Sequence, residues 1–344
     1  MKKIVGIIAA VAMAASVFAV EFSGGMRLEG SLFGYGADGS LSALNLKAVN
    51  QDYHRPFVFS VNGDEAGAQL KICEGDNATE NTSAWNIWFK PADAFKIYLG
   101  AYDTNLFTES IDWTGSLTQV SGFGYGFQVA ADALNWDVIV GNGNGGTWMT
   151  KAKDGDAVIN DFYTRVTFGG DFGNAGAFLY ANNTFKNMKF GAGYKGNADS
   201  VGYFFNFIGF VADKEFAKIR AEADVTANFD SVGWQLFVDG GYNLNAKAAG
   251  VTAMAGTDSW RLSGGANDAE KAFVGFVTKF SIPVDAFGFY VYIKDNDVLA
   301  KDFNMTFKPG FTTSVGACAI EVAVDVTLAK KVAFSVPVNF AVSF

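Results

Sequence analysis

From Glu21 onward, large apolar side chains recur at every second position in one short segment after another. This is the period of a β-strand with two unlike faces. The last segment is the plainest: Val332, Phe334, Val336, Val338, Phe340, Val342 and Phe344 share one parity, with Ala333, Ser335, Pro337, Asn339, Ala341 and Ser343 between them. In KIRAEADVTANF, Ile219, Ala221, Ala223, Val225, Ala227 and Phe229 alternate with Arg220, Glu222, Asp224, Thr226 and Asn228, so the second face is charged. EFSGGMRLEGSLFGY sets Phe22, Met26, Leu28 and Leu32 against Ser23, Arg27, Glu29 and Ser31. Comparable segments are expected near 56–62, 65–73, 84–90, 94–102, 117–130, 134–142, 161–169, 175–181, 185–195, 200–210, 232–243, 271–280, 286–294, 302–308 and 313–328. With the first, the charged and the last segments this makes about 18 strands.

The connections alternate as well. PAD (91–93), the stretch around Ala131–Leu134, GDFGN (170–174), GNAD (196–199), DSV (230–232) and IPVD (282–285) are short. Longer, acidic or Gly/Asn-rich connections are expected near 36–55, 74–83, 103–116, 143–160, 245–270 and 295–301. Phe89 and Phe95, Phe229 and Trp234, and Phe280 and Phe287 bracket three of the short turns, with Phe22 and Phe344 at the same end. Short turns at one end, long loops at the other and an aromatic girdle are the marks of a transmembrane barrel. The pattern therefore predicts an all-β chain, a closed antiparallel transmembrane β-barrel of about 16–18 strands over residues 20–344. Closure follows from physics, because an unpaired backbone group in hydrocarbon costs several kcal/mol.

MKKIVGIIAAVAMAASVFAVEF changes the picture at the start. Two lysines, an apolar run and small residues before Glu21 read as a cleaved secretory signal over 1–19. Beyond it no run of 18 apolar residues remains, so any further membrane contact is made by strands. Without Lys2 and Lys3, 24 basic residues face 35 acidic ones, a net charge of −11 that disfavours nucleic acid. Cys73 and Cys318 fall on opposite parities and are expected as free thiols.

On these residues the chain resembles Gram-negative outer-membrane β-barrel porins over essentially its whole length. The resemblance implies that the terminal VPVNFAVSF, with Val338, Phe340, Val342 and Phe344 in alternation, is a signal read by the barrel-insertion machinery. Pro337 departs from that pattern, since proline cannot donate to a ladder, and predicts a bulge or a weakened seam at the closure point. The location implied is the cell outer membrane, with its lipid as partner.

Candidate chemistry is thin. GNGNGG (141–146) satisfies a dinucleotide-binding spacing, but neither a helix nor a crossover unit surrounds it. His54, the one histidine, would be the centre of any rim enzyme, though no nucleophile constellation accompanies it. KDGDAVIND (153–161) and IKDNDVLAKD (293–302) space acids as calcium ligands could be spaced, without matching an EF-hand. No catalytic residue, metal site or cofactor is assigned.

The inward parity holds the functional content. Arg27, Lys71, Lys90, Lys96, Arg165, Lys189 and Arg220 face Glu29, Glu222, Asp224, Asp239, Glu321 and Asp325 across the expected lumen. Glu65, Asp137, Lys195, Lys279, Lys294 and Lys308 share that parity. Charges of both signs inside a closed wall are expected to stand in water, since dry burial is costly. Tyr98, Tyr102, Tyr290 and Tyr292 are either sugar-stacking surfaces or filler. The function expected is passive diffusion of small hydrophilic solutes, with a non-conducting surface adhesin or structural barrel as the alternative. Oligomeric state, solute and the loop that narrows the pore stay open at this level.

Overall fold

The computed structural model describes residues 19–343 apart from 24, 50–56, 75–80, 105, 108–117, 119, 143–160, 183 and 246–271. His54, Phe344 and residues 1–18 of the expected signal lie outside this set, as does most of GNGNGG. The strands begin with β1 (Ala19–Ser23), β2 (Gly25–Tyr35), β3 (Leu41–Val49), β4 (Phe57–Asn62), β5 (Ala66–Glu74), β6 (Asn81–Ala92) and β7 (Phe95–Thr104). They continue through β8 (Val120–Ala131), β9 (Leu134–Asn142), β10 (Asp161–Gly170), β11 (Gly173–Asn182), β12 (Met188–Ala198), β13 (Val201–Ala212) and β14 (Glu215–Phe229). The chain closes with β15 (Val232–Asn243), β16 (Ala272–Val284), β17 (Phe287–Asp295), β18 (Met305–Val315), β19 (Cys318–Ala323), β20 (Asp325–Leu328) and β21 (Ala333–Ser343).

All 21 segments belong to one antiparallel sheet, and the sheet returns on itself. β1 and β2 form one stave, pairing β4 and β3 on one side, while β2 pairs the terminal β21 on the other. β19 and β20 likewise form one stave between β18 and β21. Joining β1 to β2, β3 to β4 and β19 to β20 turns the 21 segments into 18 staves. Met26 faces Val342 and Leu28 faces Phe340, so the first and last staves close the cylinder as the sequence predicts.

One end of the cylinder carries the tight turns, and turn chemistry explains their residues. Asp132, Asp199, Asp230 and Asp285 open four of them with φ between 48° and 51°. This is the left-handed region that aspartate tolerates better than most residues. At the other end Asp213 and Lys214 both have positive φ, the requirement of a two-residue turn that matches strand twist.

Three expectations need correction. The stretch 36–55 is not one long loop, because Leu41–Val49 is a strand. Residues 302–328 do not break at Pro309–Gly310; β18 runs to Val315 and turns at Gly316, whose φ is +59°. Pro309 is accommodated because Val324 interrupts the neighbouring stave and donates its own N–H to the Pro309 carbonyl at 2.9 Å. The long-loop end also contains short connections, at 36–40 and at 213–214.

The proline at the seam has the effect expected of it. Ser31 pairs Pro337, and the register then slips so that Gly34 faces Ser335. Beside the slip Leu44 has a φ of 42°, placing a second irregularity in β3.

Outward positions carry Phe59, Ile87, Phe89, Trp136, Phe168, Phe205, Phe207, Phe280 and Phe289, all exposed. Polar groups on that face are paired locally. The Trp136 indole donates to Thr164 Oγ1 (3.0 Å), and Thr164 donates to the Asp137 carbonyl (3.1 Å). Trp234, Thr278 and Gln235 repeat the arrangement at 2.9 and 3.0 Å. A ring nitrogen facing hydrocarbon has no water to bond, so the adjacent strand supplies the acceptor.

Candidate functional site

Strand register decides which side chains meet inside the cylinder. Reading across the ladder, Lys96, Gln128, Asp137, Arg165, Phe178, Gly191, Ile208, Arg220, Gly241 and Phe273 follow one another as direct partners from β7 to β16. They therefore share one face, opposite to Trp136, Phe205 and Phe280. Small residues make room for large ones on it. Trp88 lies where a Cβ on Gly67 would come within 2.6 Å of its ring, and Tyr98 and Tyr290 lie over Gly126 and Gly310. Tyr290 and Tyr292 meet edge to face with ring centres 5.0 Å apart.

The wall has two different halves. Between β9 and β16 much of it is dry. Ile139, Tyr163, Phe178, Tyr180, Phe204, Ile208, Phe210, Phe237 and Val277 form an apolar cluster, joined by Leu106 and Phe107 from the connection between β7 and β8. Lys189, Arg220, Glu222, Asp224 and Asp239 sit within this half and are each at most 2% exposed. The expectation that they stand in water is corrected here.

Their company replaces water. The Arg220 guanidinium lies 4.0 Å from the Phe273 ring centre and donates to Asn243 Oδ1 at 3.1 Å. Glu222 accepts from Asn206 Nδ2 at 2.7 Å, and Asp224 accepts from Gln235 Nε2 at 2.8 Å. Lys189 and Lys218 flank the Phe210 ring at 5.9 and 4.9 Å. Buried charges are tolerable only when so surrounded.

Of the other inner groups, Asp137 and Tyr290 are also buried, whereas Lys90, Lys96, Arg165, Lys279, Lys308, Glu321 and Asp325 are more open. Lys90 and Lys96 approach the Trp88 ring at 5.5 and 4.9 Å, a cation over a π face. Arg165 is held by Asp137 Oδ2 at 2.9 Å from Nε and 2.5 Å from its terminal nitrogen, while Gln128 donates to the other oxygen at 2.8 Å. Lys279 and Lys308 lie 5.1 and 5.8 Å from the Tyr292 ring, and Tyr290 donates to Glu321 at 2.5 Å. Asp325 is half-buried opposite Ser335. The backbones of Arg27, Glu29 and Lys71 pair Ala341, Asn339 and Ala84, but their side chains lie outside the described set.

Residues 153–160 of KDGDAVIND lie outside the described set, and the described acids of the two calcium-like stretches have structural partners. Asp297 Oδ1 accepts from the backbone N–H of Val274 and Leu299 at 3.2 and 3.1 Å, and Asp295 accepts from the N–H of Asp297 at 3.0 Å. Asp161 accepts from Tyr180 Oη at 2.6 Å. Cys318 is a free thiol, and the Cys73 side chain is outside the described set.

Sequence reasoning passed over Asn206, Lys218 and the pair Leu106–Phe107. Asn206 had a readable signal, a lone amide in FFNFIGF. Lys218 had one too, since it opens KIRAEADVTANF on the parity of Arg220, Glu222 and Asp224, and it faces Phe210 before the register slips at Ala217.

No family model matches the chain, and no curated protein does. Solved structures share its fold at very low identity. OpdL of Pseudomonas aeruginosa is 9% identical with a TM-score of 0.58, over 96% of this chain and 98% of that one. OccAB3 of Acinetobacter baumannii is 8% identical with a TM-score of 0.57, over 94% and 99%. OpdQ of P. aeruginosa is 8% identical with a TM-score of 0.57, over 95% and 96%. The shared feature is a porin-like β-barrel.

Proposed function

We propose that the protein is an outer-membrane channel for passive diffusion of small hydrophilic solutes through the barrel lumen. The observation that carries this reading is the pairing of an apolar outer wall with half-open charged side chains on the inner one, within a closed ring of 18 staves. A cylinder of this strand number is wide enough for an aqueous path. Its outer face needs lipid, because so many exposed aromatic rings would aggregate in water. Lys96, Lys279 and Lys308 against Glu321 and Asp325 would bias passage by charge. Single-channel recording of the purified protein in a planar bilayer tests it: stepwise conductance is expected, and a barrel that inserts without conducting overturns it.

One observation favours the second reading, a non-conducting surface or structural barrel. The dry cluster on β9 to β16 occupies part of the interior. The same recording separates the two.

Assembly belongs to this reading as well. Val338, Phe340 and Val342 lie on β21 at the closure seam, with Phe344 following. Deleting Phe344 is expected to leave processed protein unfolded in the periplasm, measured by fractionation. Normal outer-membrane levels would show that the terminus is not read as a signal.

A further inference from the structure

We propose that Asn206 is a positioning residue whose carboxamide tethers Leu106 and Phe107 to the inner wall and so sets the cross-section left for solute. The proposal rests on the channel reading, and it adds the residue that determines how large a solute passes.

Asn206 is 1% exposed and sits on β13 between outward-facing Phe205 and Phe207. Its Nδ2 donates twice, to the Phe107 carbonyl at 2.8 Å and to Glu222 Oε1 at 2.7 Å. Both amide hydrogens are thereby spent, one on the connection after β7 and one on β14. Leu106 has its own seat: a Cβ on Gly176 of β11 would come within 2.5 Å of Leu106 Cδ1, so the leucine fills the place a side chain at 176 would take. The Leu106 N–H donates to Thr118 Oγ1 at 2.9 Å, joining the two ends of the connection.

These contacts differ in what they specify. Packing of Leu106 and Phe107 among apolar side chains is non-directional and tolerates sliding. The Phe107 carbonyl does not tolerate it, because a carbonyl buried in a dry cluster must find a donor or move to water. Asn206 is the donor that lets it stay. Aspartate at this position has no N–H to give, and it would set a second carboxylate against Glu222. Leucine keeps the volume and loses both donors. Either change is expected to send Phe107 towards lumen water and widen the passage along the wall.

The test places Leu106→Cys and Gly176→Cys together in a chain carrying Cys73→Ala and Cys318→Ala. In this parent the two introduced thiols are expected to bridge under mild oxidant, because Leu106 reaches the place of a side chain at 176. Adding Asn206→Asp, or separately Asn206→Leu, is expected to slow that cross-link. In planar bilayers, under reducing conditions, each is expected to raise unitary conductance and the size of neutral polyethylene glycol that enters. Oxidation to completion should return the conductance to that of the parent. Unchanged cross-linking in both variants overturns the proposal, and so does raised conductance that the completed cross-link fails to reverse. Unchanged conductance with slowed cross-linking overturns the role in pore size. Absence of conductance in the parent sinks the channel reading, while the cross-linking rate still decides the tether. Heat-modifiable gel mobility confirms a folded barrel in every arm, and Asn206→Leu carries the test if the aspartate variant does not fold.

Discussion

The inner wall contains the same three-strand ladder twice. On β12, β13 and β14, Lys189 faces Phe210 and Phe210 faces Lys218. On β16, β17 and β18, Lys279 faces Tyr292 and Tyr292 faces Lys308. Each ring has an ammonium on either side at 4.9 to 5.9 Å. Yet Lys189 and Lys218 are 1% exposed, whereas Lys279 and Lys308 are only half-buried. Identical ladders therefore have different roles, decided by what lies over them. The first belongs to a dry network with Arg220, Glu222, Asp224 and Asp239. The second keeps access to the lumen, where its charges would act on a solute passing through the proposed channel.

Arg220→Leu should break this comparison most visibly. It leaves the acidic partners of a buried network uncompensated and is expected to cost about 3–5 kcal/mol, read by urea unfolding from vesicles. Lys308→Leu in the half-open ladder should cost no more than about 1 kcal/mol. Equal costs would mean that the two halves of the wall are equally wet.

Ala223→Arg comes next, since Ala223 alternates with buried Asp224 and points outward. It should cost about 2–4 kcal/mol if the site lies near the bilayer midplane. A neutral result in the same unfolding assay would mean that β14 does not meet hydrocarbon. Thr278→Val leaves the Trp234 indole without its acceptor on the outer face and is expected to cost about 1–3 kcal/mol. Thr278→Ser, which keeps the hydroxyl, should be milder.

The smallest energetic effect carries the functional distinction. Lys279→Gln with Lys308→Gln should barely change unfolding, but should move the reversal potential under a salt gradient towards cation preference. Lys189→Gln should leave the reversal potential where it was, because its charge is shielded from the path.

Much of the barrel is legible without coordinates, and its failures lie where the alternation or the ladder is irregular. Strict alternation gives away β21 and the part of β14 from Lys218 onward, where nothing interrupts the pleat. β3 escaped because Leu41 falls on the opposite parity to Leu44 and Leu46, so LSALNLKAV does not alternate cleanly although its register is unbroken. Lys218 was passed over although it shares the parity of Arg220 and Glu222; it is the last inward residue before the extra residue Ala217 breaks the alternation. Pro309 misled in the other direction, suggesting a turn where the interruption at Val324 instead lets β18 continue.

What the sequence determined alone is the two-faced strand, its repetition, and the seam at Pro337, because side chains on a pleat alternate whatever the strand pairs with. Sequence parity also places charges such as Arg220 and Lys279 on the inner face. Tertiary structure decided which of those charges are wet. Exposure depends on what crosses the lumen, and Leu106, Phe107 and Asn206 are brought together from residues 99 apart in the chain. No local pattern encodes such a distance.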